Sequence, residues 1–197
     1  MKLTIERSVL LRSLSHVQSV VERRNTIPIL SNVRIDADSK SNVRFTATDM
    51  DIAIVESADA SVGKEGSVTV PAHMLYDIAR KLQDGAEVQI TAKSGNEKLM
   101  LESGRFAMTV SCLPVEDFPI MADGDLPFNF TIAASDLRRL LLKTRFAISQ
   151  EETRYYLNGI YLHVSSEGTP CLRAVATDGH RLASVDVSMP DGSKDMP

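Results

Sequence analysis

Ala176-Thr177-Asp178-Gly179-His180-Arg181-Leu182-Ala183 is the stretch that decides how this chain folds. Leu172, Ala174 and Ala176 alternate on the way in, as a half-buried strand requires. Asp178-Gly179 then signals a hairpin, and Gly179 accepts the positive φ of a tight reversal. The chain leaves through Leu182 and Val185. An imidazole, a guanidinium and a leucine are thereby set beside one turn, a grouping suited to recognising another chain.

An earlier stretch, Ala47-Thr48-Asp49-Met50-Asp51-Ile52-Ala53, repeats the phrase in cruder form. Asp49 and Asp178 stand 129 residues apart, while Thr4 and Thr131, and Leu30 and Leu157, each stand 127 apart. Leu3-Thr4-Ile5 and Phe130-Thr131-Ile132 both read as a short strand running into an amphipathic helix. Leu30-Ser31-Asn32-Val33 and Leu157-Asn158-Gly159-Ile160 both read as loop into strand. Three matches in one order at a near-constant offset indicate a duplicated domain.

Composition is that of an ordinary globule: 197 residues, 43% hydrophobic, 24% charged, with a net charge of −4. No apolar run reaches the ~18 residues of a membrane span and the amino terminus has no signal-peptide core, so no membrane partner and a cytoplasmic location are expected. Cys112 and Cys171 fall in different repeats and read as buried thiols. The acidity argues against bulk coating of nucleic acid but permits a local basic surface.

In chain order, Leu3 to Ile5 is a strand, and Val9, Leu10, Leu14, Val17 and Val21 give a helical stripe. Arg23-Arg24-Asn25 makes a basic loop. Asn32 to Asp36 and Val43 to Thr48 alternate as strands, and Ile52 to Val55 continue that sheet. Gly63 to Gly66 reads as a turn. Val68 to Val70 is a strand stopped by Pro71, which is suited to open a second helix with Leu75, Ile78, Ala79 and Leu82 inward. Strands follow at Glu87 to Thr91, Lys98 to Glu102 and Phe106 to Ser111, and Leu113 to Asp125 has a linker's composition. The next helix spans roughly Ser135 to Ala147, with Leu137, Leu140, Leu141 and Thr144 inward. The expected fold class is α+β, with a first domain over 1–125 and a second over 126–197.

After Asp136, the charges of that helix are all positive: Arg138, Arg139, Lys143 and Arg145. Uncompensated cations repel one another, so an anionic partner is indicated, although the helix dipole alone accounts for Lys143 and Arg145. Arg23, Arg24, Arg80 and Lys81 extend the basic set. Catalytic signals are weak. No Gly-x-x-x-x-Gly-Lys phosphate loop occurs. Asp49 and Asp51, two apart on a strand, would face the same side as metal ligands might, but with Asp178 and His180 they suggest a metal site only if repeat equivalents meet. The simpler reading is that each Asp caps its own turn.

Thr177-Asp178-Gly179-His180-Arg181-Leu182-Ala183, Arg154-Tyr155-Tyr156-Leu157-Asn158-Gly159, Thr26-Ile27-Pro28-Ile29-Leu30-Ser31-Asn32 and Leu113-Pro114 with Asp117-Phe118-Pro119 together resemble the bacterial DNA polymerase III beta subunit, the sliding clamp. The resemblance runs from Met1 onward. It implies a DNA-clamp fold: repeated domains, each of two helices on two antiparallel sheets, helices lining a central hole. It implies a non-catalytic processivity factor without cofactor or metal, working as a head-to-tail homodimeric ring around duplex DNA. Polymerase, clamp loader and repair proteins would bind it through a short linear motif with a Gln and a Leu-Phe end.

Residue by residue, the resemblance assigns DNA contact to Arg24, Tyr155 and Tyr156, with Arg80 and Arg139 as further candidates. At the family's polar amide position before Arg-Tyr-Tyr this chain carries Glu151, an acid that disfavours a phosphate. Arg154, Leu157, Thr177, Gly179, His180, Arg181 and Leu182 match one half of the family's peptide pocket. Met74 and Ile78 with Met108 and Val110 match the apolar edge that closes the ring.

The second repeat runs only about seventy residues from Phe128 to Pro197 where the first needs nearly twice that. The expectation is that the chain is a piece of a longer protein, with an incomplete second domain. Two other classes stand beside the clamp reading. A DNA-binding module that forms no ring would hold a short duplex tightly, and a metal-dependent hydrolase would use Asp49, Asp51 and His180.

Overall fold

The computed structural model describes residues 1–22, 26–39, 41–92, 97–119, 129–166 and 168–193. The chain divides into two units, Met1–Ala122 and Asp123–Pro197. Among the described residues, no helix is long and apolar enough to cross a membrane.

Among the described residues the first unit holds nine strands: β1 (Lys2–Glu6), β2 (Asn32–Ala37), β3 (Asn42–Thr48), β4 (Ala53–Asp59), β5 (Ser61–Lys64), β6 (Gly66–Pro71), β7 (Glu87–Ala92), β8 (Lys98–Ser103) and β9 (Phe106–Ser111). They form two antiparallel sheets, ordered β5-β1-β7-β8-β9 and β4-β3-β2-β6. Helices α1 (Arg7–Val17) and α2 (Ala72–Lys81) pack on each other and on the sheets. Leu10, Leu14 and Val17 of α1 and Leu75 and Ala79 of α2 meet Leu3, Ile5, Ile35, Phe45, Ile90 and Leu101 in one core. Alternation buries every second residue of β2, β3, β7 and β8, which is why these strands were legible as strands. Arg7 ties the helices: its Nε donates to Ala79 O at 3.0 Å and its Nη2 to Arg80 O at 2.9 Å, satisfying carbonyls at the α2 carboxyl end. His73 does the same at the other end, with one ring nitrogen 3.0 Å from Val21 O and the other 3.2 Å from Gln18 Oε1.

The second unit holds α3 (Ala134–Thr144) and the antiparallel sheet β10 (Tyr161–Ser165), β11 (Cys171–Thr177) and β12 (Leu182–Ser188). α3 lies on β11 and β12, and Leu140, Leu172, Ala174 and Val187 form the core. The duplication is plain in the elements. α1 and α3 span the same positions at an offset of 127, and β3 with β4 match β11 with β12 at 129.

Four expectations need correction. Leu137 and Leu141 are exposed while Leu140 and Thr144 are buried; their counterparts Leu10 and Leu14 are buried in the first unit, where α1 packs on α2 as well as on a sheet. Phe130 to Ile132 is not a strand: β1 is held between β5 and β7, but among the described residues nothing pairs with the later segment. Gly63 lies within β5 rather than in a turn, and Glu65 alone separates β5 from β6, which belongs to the other sheet. Asp49 and Asp51 sit in the turn between β3 and β4, not on one face of a strand.

Candidate functional site

The turn between β11 and β12 is held by its own side chains. Thr177 Oγ1 accepts from the Gly179 N–H at 3.1 Å and donates to Arg181 O at 2.7 Å. Asp178 Oδ1 accepts from the N–H groups of His180 and Arg181 at 3.0 and 2.9 Å, while Oδ2 accepts from Arg181 Nε at 2.9 Å. Those two backbone donors, with the Arg181 guanidinium adding to them, hold the Asp178 carboxyl down to about 2. Thr48, Asp49 and Met50 build the same turn in the first unit: Thr48 Oγ1 donates to Ile52 O at 2.8 Å, and Asp49 Oδ1 accepts from Asp51 and Ile52 N–H at 3.0 and 2.7 Å. Both aspartates therefore cap turns, which is the simpler of the two readings of these residues. Gly179 has φ 88° and Met50 has φ 86° at the matching position.

Arg154 braces the tip from the side. Its Nη1 donates to Asp178 O at 3.4 Å, its Nε pairs with Glu151 Oε2 at 3.1 Å, and a Cβ on Gly179 would stand 3.0 Å from Nη1. Glycine is thus favoured at 179 for its φ, and a side chain there would also make the Arg154 guanidinium shift. The Arg181 guanidinium lies over the Phe146 ring, 5.7 Å from its centre.

Two cavities flank this assembly. One of about 250 Å³ is lined by Tyr156, Leu157, Gly159, Ile160, Tyr161, Val175, Ala176 and Thr177. Another of about 570 Å³ takes His180 and Arg181 together with Phe146, Ser149, Gln150 and Glu151. The seven expected pocket residues thus gather round one hairpin. Leu157 and Thr177 line the first cavity, His180 and Arg181 the second, and Arg154 with Gly179 stands between them. Leu182 pairs across the strands with Thr177 and is 65% exposed, an apolar side chain held out beside the turn. Phe146 and Gln150 were missed because nothing in their local spacing places them beside a turn thirty residues on.

Tyr155 and Tyr156 are 79% and 71% exposed, with rings edge to face and centres 5.9 Å apart. They are not spent on core packing. Glu151 faces Arg154, so part of its charge is neutralised within the protein. Arg138, Arg139, Lys143 and Arg145 are exposed and make no ion pair among the described residues. Arg80 is also exposed, pairs with Asp77 at 3.2 Å and lies 5.9 Å from the Tyr76 ring centre. Arg24 and its neighbours Arg23 and Asn25 lie outside the described residues.

In the first unit, Met74, Ile78, Leu82, Phe106 and Met108 line a cavity of about 490 Å³ with Asp77 and Lys81 at its edge. Val110 does not belong to that surface: it is 4% exposed, packed in the core. Phe106, Met108 and Val110 share one face of β9, and the row is covered at Val110 and emerges toward Phe106, which the sequence reading had passed over.

Residues 1–122 match the family model described as DNA polymerase III beta subunit, N-terminal domain, and residues 131–197 match its central domain. Over 198 residues the chain is 50% identical to a beta sliding clamp of Caulobacter vibrioides, covering 100% of this chain and 53% of that protein. It is 37% identical to the Escherichia coli beta sliding clamp over 193 residues, 98% of this chain and 50% of that one. Among solved structures, Caulobacter crescentus pol III beta superposes with a TM-score of 0.94 at 49% identity, over 100% of this chain and 53% of that one. A Bartonella birtlesii sliding clamp bound to griselimycin superposes at 0.94 and 48% identity, over 100% and 52%. The chain spans about half the length of the curated relatives it matches.

Proposed function

The chain belongs to the DNA polymerase III beta subunit family, and from that premise we propose that it supplies the first domain and the amino-terminal part of the second domain of a sliding clamp, a non-catalytic tether for the replicative polymerase. The observation that carries the reading is the hairpin at 177–182 beside the open cavity over Leu157. Leu157 and the exposed Leu182 offer apolar contact to an incoming segment, and His180 and Arg181 offer donors to its carbonyls and carboxylates. Retention on DNA comes from encirclement in the assembled ring. The duplex is touched only at phosphates, by Arg24, Arg80, Arg139 and the two tyrosines, so that no sequence halts sliding. Met74, Ile78, Phe106 and Met108 form this chain's side of the closing contact, where methionine suits a surface that opens and recloses.

Titration calorimetry with a peptide carrying a Gln and a Leu-Phe end tests the pocket. Saturable binding by the natural chain and its loss in Leu182→Asp, with the melting temperature unchanged, is expected. Equal affinity in both proteins would remove the pocket assignment.

A further inference from the structure

The last turn of α2 carries two cations, Arg80 and Lys81, and one acid within reach of both, Asp77. Asp77 stands three residues before Arg80 and four before Lys81, and either spacing sets a carboxylate beside a cation on a helix surface. It has taken Arg80, at 3.2 Å, while Lys81 makes no ion pair among the described residues. Asp77 and Lys81 both border the cavity lined by Met74, Ile78, Phe106 and Met108, and Arg80 is not among its lining residues. One carboxylate thus stands between the surface read as closing the ring and a cation read as touching DNA.

The backbone beneath this choice is fixed. Arg7 donates to Ala79 O at 3.0 Å and to Arg80 O at 2.9 Å. Tyr76, one turn before Arg80, places its ring centre 5.9 Å from the guanidinium. What remains free is the partner of the carboxylate. The Asp77 and Arg80 side chains are 51% and 59% exposed, and an ion pair so open to water is weak. A phosphate competing for Arg80, or a surface laid over the cavity edge, therefore suffices to redistribute it. Covering that edge takes Asp77 and Lys81 out of water together. Charges removed from water need a partner, so burial favours their pairing with each other.

We propose that Asp77 is an exchangeable counter-ion: it holds Arg80 while the cavity is open, turns to Lys81 when the cavity is covered, and so releases the Arg80 guanidinium to a phosphate. This rests on reading Arg80 as a phosphate contact and the cavity as this chain's side of the closing contact. Such coupling is reciprocal, so a phosphate on Arg80 favours closure by the same factor. The factor is about two- to fivefold, the strength of one exposed pair. Asp77 is a positioning residue, acting on DNA only through Arg80.

Equilibrium binding of a short duplex across a salt series tests it. In this chain Asp77→Asn should tighten binding about two- to fivefold, and Asp77→Glu, which keeps the pair, should bind as the natural chain does. Arg80→Ala should weaken binding and flatten the slope of log K against log salt by about 0.9, one phosphate contact. Added to Arg80→Ala, Asp77→Asn should gain nothing. An equal gain there means that the acid only lowers the field of the whole surface, and overturns the proposal while leaving Arg80 as a DNA contact. An unchanged slope in Arg80→Ala removes the reading of Arg80 itself, and the proposal falls with it. In the full-length protein, assembled as a ring, the gain from Asp77→Asn should disappear because Arg80 is already released. A gain as large as in this chain overturns the exchange with Lys81.

Discussion

Asp178 carries more of the site than its side chain suggests, because two backbone donors and the Arg181 guanidinium converge on it. Its folded pKa, about 2, is below the ordinary value of 3.8. The turn's stabilisation is therefore present above the ordinary value and is lost as the pH falls through about 2. Carbon-13 titration of the carboxyl should show a midpoint near 2, and one near the ordinary value would mean that the turn does not hold. The neighbouring backbone gives a second expectation. Gly179→Ala places a Cβ at φ 88° and should cost about 1–2 kcal/mol by urea denaturation. Met50 already bears that cost at φ 86°, so Met50→Gly should gain about 0.5 kcal/mol, the relief less glycine's greater chain entropy. The hairpin and its capping aspartates were legible because Thr-Asp-Gly states its own local bonding. The brace from Arg154 and the ring of Phe146 under Arg181 were not, since both reach the turn from more than twenty residues away.

At the scale of elements, α3 shows what periodicity fixes and what it leaves open. A 3.6-residue period accommodates either Leu140 with Thr144 or the row through Leu137 and Leu141, and sequence alone assigned both rows inward. Leu140 meets Leu172 and Val187, while Leu141 is exposed among the described residues; its counterpart Leu14 is buried where α1 also packs on α2. Leu140→Ala should accordingly cost about 2–5 kcal/mol. Leu141→Ala should change stability by less than about 0.5 kcal/mol in the same denaturation series. Strands were more legible where alternation was strict, as in β7 and β8, and less so at Phe130 to Ile132, a strand-like triplet with which no strand pairs among the described residues. Burial of Ile29 and Leu30 by Phe118 was invisible to periodicity for a related reason, being a contact between a linker and a loop eighty-odd residues earlier.

For the whole molecule, the repeat was the most legible feature and the most useful, since one offset predicted α3 and another predicted β11 and β12. The net charge of −4 sits beside α3, whose Arg138, Arg139 and Lys143, with Arg145 just past its end, find no ionic partner among the described residues, which under the proposed clamp function suits repelling DNA generally while tolerating it along one surface. A protein that holds DNA by encirclement needs little intrinsic affinity. The most direct measurement is equilibrium binding of this chain to a short, open-ended duplex across a series of salt concentrations. The clamp account predicts a Kd weaker than about 1 μM that rises steeply with salt, with little preference among sequences. A salt-resistant, sequence-selective Kd well below that would contradict it.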